Sequence, residues 1–265
     1  MDESERRHRL RTTFEDVAED YDRARPGYPT AVFDDLAELA SLDRGSRILE
    51  IGCGTGKATV PLAERGFDVV CVELGEQLAG VARTKLASFP NADVVHARFE
   101  TWDAPSAPFD AVVSFTAFHW IDADVRYEKP ARLLREKGVL GVVGSHHALP
   151  EPRAGFWLDV QDDYAAVTPE ILTDPPPHPD DVPDLGDEIE ASRRFRNMAV
   201  RRYLWEVRYT ADEYIAVLDT YSGHRALGDE RRARLYERIR ARIAAEPEQT
   251  VTKTYLTTLN VAERL

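Results

Sequence analysis

The sequence predicts an α/β fold: a seven-stranded, mostly parallel sheet with helices on both faces, an antiparallel C-terminal edge and an insertion between strands 5 and 6. Three observations predict it. Short runs apolar on both faces alternate with stretches of helical spacing as far as Gly144. Strands buried on both sides in that cadence belong to parallel sheets covered by helices. The cadence then stops, and two β-branched or alternating runs follow near the C-terminus.

The elements follow in chain order. Thr30 to Leu42 carries Val32, Phe33, Leu36, Leu39 and Ala40 at helical spacing. RILEI (Arg47 to Ile51) is a short buried strand. Ala58 to Arg65 reads as a helix with Gly66 as its cap. DVVCVE (Asp68 to Glu73) is the second strand, Gln77 to Ser88 a helix and Asp93 to His96 the third strand. FDAVVS (Phe109 to Ser114), a helix over Val125 to Arg135 and GVLGVV (Gly138 to Val143) complete five strands. Glu151 to Val167 reads as a helix, and the Pro- and Asp-rich run Thr168 to Asp184 as an irregular loop. YLWEVRY (Tyr203 to Tyr209) is a strand, Ala211 to Tyr221 and Glu230 to Ala244 are helices, and Thr250 to Asn260 is the last strand. The organisation expected is a leader of cap helices over 1–44, a cofactor-binding core over 45–145, an insertion or lid over 146–200 that recognises the acceptor, and elements completing the sheet over 201–265.

Composition narrows the function. The 265 residues are 43% hydrophobic with a formal net charge of −13, enough apolar content for a sizeable core. The acidic balance argues against the phosphate-driven affinity of a nucleic-acid binder. Cys53 and Cys71 are the two cysteines, without CxxC or His-rich spacing, so neither a disulfide scaffold nor a metal site is expected. The charged N-terminal run lacks the apolar core of a signal peptide, and no apolar run reaches ~18 residues. A soluble chain in a reducing, cytoplasmic setting, away from membranes, is expected. The sequence carries no signal of oligomeric state.

The chemistry starts at ILEIGCGTG, Ile48 to Gly56. A parallel sheet binds ligands at the carboxyl ends of its strands, and this loop lies at such an end. Gly52, Gly54 and Gly56 let backbone approach a ligand. The dinucleotide fingerprint spaces its glycines G-x-G-x-x-G, whereas the spacing here is G-x-G-x-G with Glu50 just ahead. An acid there repels a pyrophosphate and attracts an ammonium. Glu73 closes the second strand roughly 20 residues after the first glycine, where an acid reaches ribose hydroxyls. Cys53 supplies a small side chain rather than a catalytic thiol.

Glu50-Ile51-Gly52-Cys53-Gly54-Thr55-Gly56 followed by Glu73 resembles the cofactor signature of class I S-adenosylmethionine-dependent methyltransferases. YDRARPGYP (Tyr21 to Pro29) is similar to the leader helix of many small-molecule members. FDAVVSFTAFHWID (Phe109 to Asp122) resembles their fourth strand and the loop after it. ARLLREKGVLGVV resembles the next helix and strand, with Glu136-Lys137-Gly138 where Pro-Gly-Gly is common. The likeness covers about residues 10–145. It implies a Rossmann-like fold, S-adenosylmethionine as cofactor, S-adenosylhomocysteine as product, and a small-molecule acceptor methylated at oxygen or nitrogen.

The resemblance also implies roles. Gly52, Gly54 and Gly56 would cradle the methionine and ribose portions, with Cys53 between them, and Glu50 would help hold the ammonium. Glu73 would take the ribose hydroxyls and Leu74 would pack on adenine. Arg98 stands where members often have an Asp for the adenine amino group and cannot accept a hydrogen bond, so Glu100 or the Phe99 backbone takes that task. Thr116 and Ala117 would line the methionine side. Tyr21 and Arg25 would cover the cofactor, or simply pack the leader on the core.

Methyl transfer needs alignment, exclusion of water and, for a protonated acceptor, a base. His119 follows the fourth strand and is the candidate base, or else a loop histidine orienting Trp120, itself a candidate pocket wall. His146 is a candidate acceptor contact after the fifth strand, and adjacent His146 and His147 make a poor metal pair. Phe156, Trp157 and Tyr164 form either an apolar lid over the acceptor or the seam of the insertion. The basic run from Arg193 to Arg202 is expected to meet the Asp-rich loop or solvent. Two rival functions are a non-enzymatic cofactor-binding module and an NAD(P)-dependent oxidoreductase; the glycine spacing and Glu50 oppose the second.

Overall fold

The computed structural model describes residues 18–149, 155–169 and 174–265. One seven-stranded sheet organises it, in the order β3-β2-β1-β4-β5-β7-β6. The leader supplies α1 (Ala18–Ala24) and α2 (Thr30–Leu39). Then come β1 (Arg47–Ile51), α3 (Thr59–Glu64), β2 (Asp68–Glu73), α4 (Glu76–Leu86), β3 (Ala92–His96) and β4 (Phe109–Phe115). The chain continues through α5 (Ala123–Arg126), α6 (Glu128–Leu133), β5 (Leu134–His147), α7 (Gly155–Val167) and α8 (Gly186–Ala191). It closes with β6 (Phe195–Thr210), α9 (Ala211–Asp219), α10 (Ser222–Arg225), α11 (Asp229–Ala245) and β7 (Thr250–Arg264). Strands β1 to β5 pair in parallel, and β7 pairs antiparallel with both β5 and β6.

Side-chain alternation divides the core. Ile48 and Leu49 are adjacent on β1 and wholly buried, yet they enter opposite layers. On one face, Val32, Phe33 and Leu36 of α2 and Leu62 of α3 cover Ile48, Ala111 and Val113. On the other, Leu49, Val112 and Leu140 meet Phe118, Tyr127 and Ile189. A third core joins α7 to α9, α11 and the adjoining ends of β6 and β7, around Trp157, Leu218, Leu235 and Ile239.

Several boundaries differ from those expected, each for a physical reason. The single helix expected over Val125 to Arg135 is two short helices broken at Tyr127, and Leu134 already belongs to β5, paired with Phe109. Lys137, at φ 59°, marks the irregularity before the regular register resumes at Val139. Strand β6 starts eight residues earlier than expected, at Phe195 rather than Tyr203, because its first half is an exposed edge held through backbone pairing with β7 and shows no apolar alternation. The acid-rich α8 was not expected; it buries one residue, Ile189. The expected helix start over 151–154 lies outside the described residues.

Candidate active site

A cavity of about 480 Å³ crosses the carboxyl ends of the parallel strands, within the ~300–1,000 Å³ usual for small-molecule sites. Strand β1 delivers Glu50, and the turn after it places Gly52, Cys53 and Gly54 on the wall. Gly52 has φ +73°, and a Cβ there would lie 2.5 Å from the Cβ of Ala117, so the loop after β1 and the loop after β4 meet only because this residue is glycine. Strand β2 brings Glu73 and Leu74, and the loop after β3 brings Ala97 and Phe99. The segment after β4 brings Thr116, Ala117, His119 and Trp120. Tyr21 of helix α1 and Arg25, just past its end, close the cavity.

Two carboxylates dominate the electrostatics. Glu50 is 1% exposed, and the Thr59 hydroxyl donates to its Oε2 at 2.7 Å. Burial pushes its pKa up to about 7; the Thr59 bond opposes this, and the neighbouring charge of Glu73 adds to it. Glu73 accepts from the backbone N–H of Gly54 through Oε2 and from that of Gly75 through Oε1, each at 2.8 Å. These two bonds fix the carboxylate at the cavity wall, between the glycine loop and the turn after β2. Cys53 packs on Cys71, and that contact together with burial pushes its thiol well up, which makes it a small wall residue rather than a nucleophile.

The leader is clamped down by Asp22. Its Oδ1 accepts from the Thr55 hydroxyl at 2.6 Å and from Lys85 Nζ at 2.5 Å, while Lys57 Nζ donates to its backbone carbonyl at 2.6 Å. Partial burial raises the Asp22 pKa, but Lys85, Thr55 and Lys57 outweigh it and hold the group below the usual carboxylate range. Tyr28, on the segment between α1 and α2, lines the cavity and shares a 3.0 Å hydrogen bond with Thr116. Thr116 has φ 56°, an unusual backbone for a β-branched residue, located where the fourth strand opens into the site.

Five expected site residues lie elsewhere. Gly56 stands behind the loop, close to Ala82 of α4, and serves packing. Glu100 is turned from the cavity toward Arg98, 3.3 Å away, and the backbone N–H of Asp122. Arg98 also bonds Asp122 at 2.9 Å, so it ties the loops after β3 and β4 together. His146 and His147 lie within β5 rather than in a loop after it; His146 is exposed and outside the cavity wall. Trp157 is 5% exposed, with its ring 4.2 Å from His147 and 5.7 Å from Tyr214, and Nε1 donates to the Thr252 carbonyl. Phe156 packs against the same third core, so these two aromatics form the seam of the insertion, not a wall of the cavity. The basic run is largely paired, Arg194 with Glu128, Arg196 with Glu263 and Arg202 with the carbonyls of Pro179 and Val182.

Other contributors were not expected. Ser145, Tyr221, Ser222 and Gly223 line the cavity. Lys129, 7% exposed, donates to the carbonyls of Phe99 and Trp102 and fixes the loop after β3. A lysine inside a short amphipathic helix carries no sequence signal of such a role. Among the described residues, no group of His, Cys, Asp and Glu is arranged to hold a metal ion, and no helix is long and apolar enough to cross a membrane.

Sequence comparison agrees with this geometry. Residues 48–138 match the model of a family described as a methyltransferase domain. An uncharacterized methyltransferase of Mycobacterium tuberculosis is 37% identical over 123 residues, covering 46% of this chain and 48% of that protein. The magnesium-protoporphyrin O-methyltransferase of Rhodobacter capsulatus is 33% identical over 132 residues, 49% of this chain and 56% of its own. A solved structure of a candidate type II methyltransferase from Anaeromyxobacter dehalogenans matches with a TM-score of 0.63 at 24% identity, over 90% of this chain and 97% of that one. Residues 48–138 thus match a methyltransferase domain, and the chain shares its fold with that solved structure. It spans about half the length of the curated relatives it matches.

Proposed function

We propose that the protein transfers a methyl group from S-adenosylmethionine to a small-molecule acceptor, with an oxygen acceptor favoured. The observation that carries this is the pair of buried carboxylates, Glu50 and Glu73, set on either side of a glycine loop in one cavity. Two acids beside that loop repel a pyrophosphate and suit an ammonium and a ribose. When bound, the cofactor supplies an electrophilic methyl group on a sulfonium sulfur.

The chain's own residues then have definable tasks. Glu73, with its loop-side positions already filled by backbone N–H groups, accepts from ribose hydroxyls. Leu74 and Phe99 hold the adenine, with the Phe99 backbone in place of the acid that Arg98 displaces. Glu50 faces the ammonium and Arg25 the carboxylate, under Tyr21. His119, Trp120 and Ser145 border the acceptor. We place acceptor selection on these residues and the turn at 221–223 rather than on the segment 146–200, none of whose described residues lines the cavity. The O-methyltransferase among the relatives supports an oxygen acceptor.

Calorimetry with S-adenosylmethionine, S-adenosylhomocysteine and NAD tests this reading. Binding of the first two and not the third is expected. Binding of NAD alone would sink it. Labelled methyl transfer to a panel of phenols, carboxylates and amines then separates an enzyme from a binding module.

A further inference from the structure

The cavity wall contains a tyrosine in an unusual setting. Tyr221, just ahead of α10, lines the cavity. Its hydroxyl oxygen accepts from Lys253 Nζ at 2.8 Å, and the guanidinium of Arg25 lies 4.1 Å from its ring centroid. Lys253 stands on β7, 2% exposed. Buried lysines normally face a carboxylate. Here the groups around Tyr221 are Tyr21 of α1 and Arg25 just past it, Lys253 and Tyr255 from β7, Tyr209 of β6, Tyr214 of α9, His224 of α10, and Tyr164 of α7. Among the described residues, no carboxylate acts directly on Tyr221; Glu73 and Asp22 act on Tyr21, and Asp219 acts on His224. Burial holds the Lys253 pKa below the ordinary ammonium value, but the Tyr221 oxygen opposes that shift, so Lys253 and Arg25 converge on one phenol and the anion that best balances them is the phenolate. The other tyrosines of this cluster are pushed up by burial; Tyr221 is pushed up by burial too, but Lys253 and Arg25 outweigh it and leave it below the ordinary phenol value.

We propose that Tyr221, held against Lys253, is the group that takes the proton from the methyl acceptor. The proposal rests on the methyl-transfer reading and assigns the proton within it. The acceptor's O–H proton passes to the Tyr221 oxygen as the acceptor oxygen bonds the methyl carbon. The S–CH3 bond breaks with its electron pair left on sulfur, and Tyr221 returns the proton to water after product leaves. Lys253 is a positioning residue that acts through Tyr221. His119 is less suited to this step: a neutral imidazole that takes a proton becomes a cation, and burial and the nearby Arg126 oppose that charge. A phenolate instead becomes neutral.

The first test needs no acceptor. Tyrosinate absorbance is followed against pH in protein saturated with S-adenosylhomocysteine. One tyrosine is expected to ionise before the rest; Tyr221→Phe removes that step and Lys253→Met delays it. The absence of an early step, or its survival in Tyr221→Phe, overturns the proposal. Labelled S-adenosylmethionine with a panel of substituted phenols then reads the chemistry. Tyr221→Phe, which deletes a single oxygen, is expected to lower kcat by about a hundredfold or more while S-adenosylhomocysteine binding holds. Lys253→Arg, which keeps the charge, recovers much of the rate lost in Lys253→Met. A Tyr221→Phe protein that binds S-adenosylhomocysteine weakly but keeps its rate at saturating cofactor puts the hydroxyl on the cofactor and overturns the assignment. Wild-type protein that binds the cofactor and methylates no phenol also overturns it and leaves the wider reading intact. Failure to bind the cofactor at all strikes the wider reading instead.

Discussion

The carboxylate of Glu73 accepts a 2.8 Å hydrogen bond from the backbone N–H of Gly54, so the end of the second strand and the glycine loop are one unit. Glu73→Ala should therefore remove a ligand contact and loosen the loop together. Calorimetry should show S-adenosylhomocysteine binding weakened by about 1–3 kcal/mol. Unchanged affinity would show that the ribose assignment is wrong.

Glu50 gives a pH dependence with a defined sign. Its pKa of about 7 in the folded protein lies above the ordinary carboxylate value, so between those two values the folded state holds a proton that the unfolded state has lost. Stability should fall as pH rises through that window, by about 3 kcal/mol at most. An ammonium-bearing ligand favours the charged form, so S-adenosylhomocysteine affinity should rise over the approach to pH ~7. Both trends should flatten in Glu50→Gln, read by denaturant unfolding and by titration. A Glu50→Gln protein with wild-type pH profiles would refute the assignment.

The contact between Gly52 and Ala117 can be separated into its parts. Gly52→Ala places a Cβ at φ +73°, costing about 1–2 kcal/mol, and sets it 2.5 Å from the Ala117 Cβ. Adding Ala117→Gly should relieve the collision and leave the backbone term. Thermal unfolding of the single and double variants measures both; equal Tm values for the two would mean that the collision is absorbed elsewhere.

The Asp22 clamp should govern how long the cofactor stays. Asp22→Ala removes the acceptor shared by Thr55 and Lys85. Stopped-flow release of S-adenosylhomocysteine should quicken about fivefold or more, as expected when charged hydrogen bonds are lost. Release at the wild-type rate would mean that the leader does not gate the cavity.

The sequence was most legible where one physical constraint acts locally. The glycine loop and strands β1, β2 and β4 announce themselves through unbroken apolar runs and glycines, and the cavity assembles around them. Gly56 and Glu100 share the motif's spacing but face away, because spacing does not say which side of a loop a residue presents. Trp157 has the composition of a lid and the burial of a core residue. Tyr28, Lys129 and Tyr221 escaped notice because their partners, Thr116, the Phe99 carbonyl and Lys253, come from distant segments. A contact across the fold leaves no periodicity in either segment.

The position of β7 between β5 and β6 has a consequence for how the molecule is made. Among the described residues, strand β6 pairs only with β7, so until β7 forms, its sixteen residues present two open edges. Pairings over such sequence separations are slow to form. Since β7 also carries Lys253, the half-built sheet would already hold its glycine loop while still lacking the charge behind Tyr221. Ligand-binding capacity is thus expected to return during refolding before turnover does.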